Sequence, residues 1–448
     1  MELAIKIFQF ILSISILVIL HELGHFLPAK YFKTKVEKFY LFFDPWFSLA
    51  KKKIGETEYG IGWLPFGGYV KIAGMVDESM DIEQLKQPAQ PWEFRAKPAW
   101  QRLIIMLGGV TVNFFLAWII YGCLSFFNGE TTFDTAKVDA PMNYTSVAKG
   151  MGFQDGDKIL KVDGKTQNNL DKLALDVLLS DEITVLRNGK EVTFPTNDDG
   201  KAMAFRDENP KAFLTPRFPA IIDSIYNPKT AQAGLKLGDQ VVSVDGKKIS
   251  YYDEFQTAVR NSPGKDIKVD VMRNGAIQPL VLSVSKEGTL GLASYKQLQK
   301  FYETKNFTFG QSIGRGFTRS IESLTYQVKQ FKLIFNKKVQ GYKKVGGPLA
   351  IIKNMPVDKA RDGSVSIDWT AFWSFTAMFS VWLAFLNLIP IPGLDGGHVI
   401  FTLYEMIVGK PVPQKILENA QMVGVIFLLG LMLLIFGADI FKIITNKF

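Results

Sequence analysis

The sequence predicts a multi-pass α-helical membrane protein with four transmembrane helices and an inserted, repeated, mainly β region. Three observations predict this. The 448 residues are 47% hydrophobic with a mean hydropathy of +0.10, high beside 38 glycines and 21% charge. The apolar residues gather into four stretches of about 20 residues or more, the length that crosses about 30 Å of hydrocarbon. Between the second and third stretch, a pattern of Gly-Asp, Val-Asp-Gly and Arg-Asn-Gly occurs twice.

Residues 1–30 form the first span, with an apolar run over 3–27 that leads into His21-Glu22-Leu23-Gly24-His25. Only Lys6 precedes the run and no small-x-small cleavage site follows it, so a span is expected rather than a cleaved signal peptide. Residues 31–98 follow as a loop, in which Gly60, Gly62, Gly67 and Gly68 punctuate aromatic and β-branched positions over about 54–74. Residues 99–127 are the second span (apolar over 103–127). Lys30, Lys33, Lys35 and Lys38 on one side of the loop, with Lys97 and Arg102 on the other, place it in the cytoplasm. The same loop also carries Asp77, Glu78, Asp81 and Glu83. With four spans, both termini and the long 128–368 region then face outward.

Residues 128–215 and 216–296 are two related units. Asp157 and Asp163 are six apart, as are Asp239 and Asp245, and the copies are offset by 82 residues. Arg187-Asn188-Gly189 and Arg273-Asn274-Gly275 each lie between β-prone runs, a hairpin signal. Residues 297–366 hold a linker and an amphipathic helix. Ile313, Phe317, Ile321, Leu324, Val328, Phe331 and Ile334 recur every three or four residues, suiting the membrane surface or packing against a β unit. Residues 367–408 form the third span (apolar over 369–394) and 409–448 the fourth (422–441).

Net charge is +9, yet no dense Lys/Arg run with interleaved aromatics occurs, so a nucleic-acid partner is not expected. Cys123 is the sole cysteine and excludes an intramolecular disulfide.

The chain has three histidines: His21, His25 and His398. Ionisable groups in a membrane helix are costly and default to a functional reading. His-Glu-x-x-His on a helix stacks two imidazoles on one face, within reach of one Zn²⁺, with Glu22 beside a metal-bound water. A catalytic zinc needs a third protein ligand and an open position. The stretch Asn387-Leu-Ile-Pro390-Ile-Pro392-Gly-Leu-Asp395-Gly-Gly-His398 offers Asp395 and His398. Asp395 is favoured because it directly follows the broken segment; spacing alone does not decide. Pro390 and Pro392 interrupt helical hydrogen bonding, and broken backbone at membrane depth persists only inside protein or beside a wet cavity.

These paired motifs with the repeat between them resemble the site-2 protease family of intramembrane zinc metalloproteases, in its branch with tandem PDZ domains. The resemblance covers nearly the whole chain. It implies that His21, His25 and Asp395 hold zinc, that Glu22 is the catalytic acid/base, and that His398 is not a ligand. It also implies that Asn387, Pro390 and Pro392 contact substrate. The segment 56–74, with Gly60, Gly62, Gly67 and Gly68, resembles a membrane-reentrant β-loop that receives substrate as an added strand. In the second span, Gly109 and Asn113 match a Gly-Pro-x-x-Asn pattern, with Val110 where proline is usual. A second departure is the segment 40–49, Tyr-Leu-Phe-Phe-Asp-Pro-Trp-Phe-Ser-Leu, where many members have a glycine-rich stretch. The implied partners are single-span membrane proteins, either anti-sigma factors or leftover signal peptides, besides the lipid bilayer and a peptide ligand of the PDZ units. The implied place is a bacterial inner membrane with the PDZ units in the periplasm. A membrane-anchored PDZ scaffold would leave both polar motifs unexplained. A metal transporter would want more acidic residues in the spans and an inverted repeat.

Overall fold

The computed structural model describes residues 1–75, 88–133, 142–167, 170–206, 213–294, 302–344, 346–359 and 364–445. The acidic residues Asp77, Glu78, Asp81 and Glu83 lie outside them. The chain divides into two compact units. The first comprises Met1–Gly129, Asn306–Lys329 and Lys344–Phe448; the second comprises Glu130–Lys305 and Gln330–Lys343.

Among the described residues, four helices are long and apolar enough to cross a membrane, all in the first unit. They are α1 (Glu2–Tyr31), α2 (Ala99–Asn128), α4 (Trp369–Leu388) and α6 (Gln414–Ile444). The third apolar stretch is two helices, not one. α4 stops at Leu388, and α5 (Asp395–Val408) begins after residues 389–394. Pro390 and Pro392 explain the stop, since each lacks an N–H and clashes with the preceding turn.

Between α1 and α2, β1 (Val36–Ile54) and β2 (Thr57–Ile72) form a curled hairpin longer than the expected 54–74. Residues 38–41 are partnered by 68–71 and also by 58–61, while 48–54 partner 57–62. The segment 68–72 therefore pairs on one edge only, among the described residues. One face of that segment lies against α1, where a side chain on Gly68 would meet Val18.

The amphipathic helix α3 (Phe309–Phe335) packs through its small residues. Over Asn306–Lys329 it belongs to the membrane-type unit. Its buried residues are the small Ser312, Gly316 and Ser320, together with Gln327. A Cβ on Gly316 would come within 2.6 Å of the Trp118 carbonyl oxygen and the Gly122 nitrogen of α2. The apolar Ile313, Phe317, Ile321 and Val328 stay exposed. Close approach through small residues is how helices associate where apolar side chains gain nothing by leaving their surroundings.

The second unit contains two sheets of identical order. The first copy has β3 (Lys158–Val162), β4 (Lys165–Thr166), β5 (Glu182–Arg187) and β6 (Lys190–Pro195), ordered β4-β3-β5-β6. The second copy has β7 (Gln240–Val244), β8 (Lys247–Lys248), β9 (Asp266–Arg273) and β10 (Ala276–Ser283), ordered β8-β7-β9-β10. Strand alternation builds each core: Ile267, Val269 and Val271 are buried on β9, as are Ile183 and Val185 on β5.

The repeated motifs have repeated jobs. In the Asx-Gly pairs of both Val-Asp-Gly and both Arg-Asn-Gly motifs the two residues have positive φ: Asp163-Gly164, Asn188-Gly189, Asp245-Gly246 and Asn274-Gly275. That is the geometry of two-residue hairpin turns, which asparagine, aspartate and glycine tolerate best. The Gly-Asp aspartates meet the arginines that open Arg-Asn-Gly. Arg187 donates to Asp157 at 2.7 and 2.8 Å. Arg273 donates to Asp239 at 2.5 and 2.6 Å.

Candidate metal centre

The site is assembled where α1 crosses α2. Gly24 and Gly108 face each other so closely that a Cβ on either would overlap the other's carbonyl. Gly109 lies directly under the imidazoles of His21 and His25, in space a side chain would take from them. The helical spacing sets both rings on one face of α1, with centroids 4.8 Å apart and planes at 79°. His25 Nδ1 lies 2.8 Å from the Ile105 carbonyl oxygen of α2.

Asp395 arrives from the other end of the chain, in the first turn of α5. Residues 389–394 fold back onto that turn. Gly393 has φ +99°, which glycine alone adopts without strain. A Cβ on Gly396 or Gly397 would overlap the backbone of Leu388 to Pro392, so only glycine permits the fold-back. Gln421 of α6 holds the break by accepting from Gly393 N–H at 3.3 Å.

The result is a convergence of three atoms. Asp395 Oδ2 lies 3.3 Å from Nε2 of both His21 and His25, and the two Nε2 atoms are 3.2 Å apart. Ligands about 2.0–2.2 Å from a tetrahedral zinc stand about 3.3–3.6 Å from one another. Asp395 Oδ2 is buried and receives no hydrogen bond among the described residues. An anionic oxygen left so, against two nitrogen lone pairs, is the donor set a divalent cation satisfies. The residues therefore fit zinc.

His398, the other candidate from the sequence, is outside the cluster; its Nε2 lies 3.3 Å from the Gln421 amide nitrogen. Glu22 follows His21 on α1 and hydrogen-bonds the backbone of Val70, on the one-sided edge of β2. Asn387, in the last turn of α4, brings its amide nitrogen 3.3 Å from His21 Nε2. Pro390 is exposed and Pro392 half-buried. The four loop glycines lie within or against the hairpin. Side chains at Gly60, Gly62 and Gly67 would run into Tyr40 or Phe43, and one at Gly68 into Val18 and the Tyr40 carbonyl. Two neighbours of the rings had no role in the sequence reading: the Ile105 carbonyl, which carries no sequence signal, and Asn113, marked there only by its spacing from Gly109, whose amide nitrogen lies 3.2 Å from His21 Nδ1.

The chain is similar to known proteins over almost its full length. A model of peptidase family M50 matches residues 9–431. A Clostridium perfringens protein provisionally named a zinc metalloprotease is 28% identical over 96% of this chain and 97% of its own. A Neisseria meningitidis protein named in the same way is 28% identical over 98% of each chain. The regulator of sigma-E protease RseP of Escherichia coli is 28% identical over 95% of this chain and 96% of its own. With a family match spanning almost its full length, the chain belongs to peptidase family M50, the zinc metalloproteases of the site-2 type.

Proposed function

We propose that this metalloprotease cuts peptide bonds within the transmembrane segments of single-span membrane proteins, with His21, His25 and Asp395 as zinc ligands and Glu22 as proton carrier. The observation that carries the reading is the meeting of those three side chains, from opposite ends of the chain: His21 and His25 on a helix of membrane-spanning length, and Asp395 on the short helix that follows the break after another. Zinc, when bound, would supply a Lewis acid and bring the pKa of a bound water down toward about 7. Glu22 takes the proton released as the water oxygen bonds to the scissile carbon. It returns that proton to the amide nitrogen as the C–N bond breaks.

A helical substrate hides its carbonyls in backbone hydrogen bonds, so it must be extended to be cut. The one-sided edge of β2 beside Glu22 supports capture of the substrate as an added strand on a membrane-reentrant loop. Gly60, Gly62, Gly67 and Gly68 serve by letting the hairpin lie flat against itself and α1. Asn387 supplies an amide donor, and Pro390 and Pro392 keep the neighbouring backbone open, so that freed polar groups of the substrate find partners.

Residues 128–215 and 216–296 are read as PDZ domains, a reading supported by their shared strand order. The lysines that flank the first loop support a cytoplasmic loop, with periplasmic PDZ units and both termini outward across a bacterial inner membrane. The name of the Escherichia coli relative supports a substrate of the anti-sigma-factor kind. Purified Glu22→Gln is expected to keep its fold and one zinc per chain while cleavage of a single-span substrate in vesicles drops at least about 10²-fold. Cleavage at the wild-type rate would sink the assignment.

A further inference from the structure

Both imidazoles present Nε2 to Asp395 and turn Nδ1 toward α2, but the two Nδ1 atoms meet different groups. His25 Nδ1 faces a backbone carbonyl oxygen, that of Ile105 at 2.8 Å. A carbonyl only accepts, so the ring carries its proton on Nδ1 and keeps the Nε2 lone pair free. His21 Nδ1 faces the side-chain amide of Asn113, eight residues further along α2, with the amide nitrogen 3.2 Å away. A histidine that binds a metal through Nε2 is protonated at Nδ1 and needs an acceptor there. An N–H against an amide NH₂ is a meeting of two donors.

The oxygen of the same amide is buried and receives no hydrogen bond among the described residues. A half-turn of the amide exchanges its oxygen and nitrogen within the same volume. The residue itself is fixed, for Ser380 Oγ donates to the Asn113 carbonyl at 2.7 Å. Asn387 cannot take this part, because its amide faces His21 Nε2, the metal-facing atom.

The geometry points to Asn113 as a positioning residue: its amide oxygen accepts the Nδ1–H of His21 and fixes the tautomer that frees Nε2 for the metal. The inference rests on the zinc-site reading above. α2 then orients both rings, one through Ile105 and one through Asn113, although it contributes no metal ligand.

Two substitutions separate hydrogen bonding from packing. Asn113→Leu keeps the volume and removes the acceptor. Asn113→Asp keeps the acceptor and adds a charge that packing alone would penalise. Zinc affinity of the detergent-purified full chain, read by competition with a chromophoric chelator, is expected to fall about 10–100-fold in N113L. In N113D it is expected to stay within about 3-fold of wild type, on the view that a carboxylate orients the ring at least as well as an amide. Should N113L not fold, Asn113→Ala also lacks the acceptor and is expected to show the same loss. Wild-type affinity in a folded variant without the acceptor, or a loss in N113D equal to that in N113L, overturns the inference. Absence of zinc from the wild-type chain would instead sink the metal-centre reading beneath it, so the two failures are distinct.

Discussion

Asp239 in the second repeat and Asp395 in the membrane-type unit are both carboxylates withdrawn from water, and the chain treats them in opposite ways. Asp239 receives two hydrogen bonds from Arg273 and one from the Lys236 backbone N–H at 2.8 Å. Burial pushes its carboxyl up, but the Arg273 guanidinium and the Lys236 N–H outweigh burial and hold it below the ordinary carboxylate value. Asp157 has the same surroundings in the first repeat, from Arg187 and the Gln154 N–H. Asp439 of α6 is likewise satisfied from within, by the N–H groups of Gly347, Leu349 and Ala350. Asp395 has no arginine or lysine partner among the described residues, and one of its oxygens has no donor. A carboxylate that serves folding is neutralised by its own chain. On the proposed reading, one that serves binding is left for something the chain does not contain.

The contrast is open to attack, beginning where the effect is greatest. Asp395→Ala is expected to release zinc and abolish cleavage with little change in the repeats, as measured by elemental analysis and turnover. Stoichiometric zinc with full activity would move the third ligand to His398. Asp239→Asn is expected to do the reverse: zinc and chemistry unchanged, the second repeat less stable by about 2 kcal/mol, because Arg273 loses its ion partner but can still reach water. Thermal melting with limited proteolysis of the second repeat measures this. A loss of zinc in D239N would show that the two kinds of carboxylate are not separable. The smallest effect is acid sensitivity. The folded-state pKa of Asp239 lies below its unfolded value, so its contribution is complete above about pH 4 and fades as pH falls through the folded value. D239N should lack that part of the acid slope.

The sequence carried much of this, for local reasons. His-Glu-x-x-His declares its geometry through helical periodicity, and prolines and glycines mark the break before Asp395. The repeat was legible because each of its motifs is a turn or an ion pair that few residue types can make. Less was legible wherever a role depends on a distant partner. Asp395 and His398 are three residues apart, and only the fold-back over Gly396 and Gly397 turns one toward His21 and the other toward Gln421. The spacing of Gly109 and Asn113 is visible in the chain, but His21 is 92 residues from Asn113 and no local rule joins them. The apolar stripe of α3 was legible, but the small-residue contact of its other face was not. A periodic stripe shows that one face differs from the other; it does not say which face meets protein when the surroundings are themselves apolar.

The crossing of Gly24 over Gly108 has a mechanical consequence. With no side chain between two backbones, neither helix can slide or roll against the other without collision. α1 and α2 are then expected to move as a single body, and an opening that admits a polypeptide is expected elsewhere than at their crossing. A covalent tether between α1 and α2 is accordingly expected to leave turnover unchanged; slower turnover would reveal hidden play in the joint.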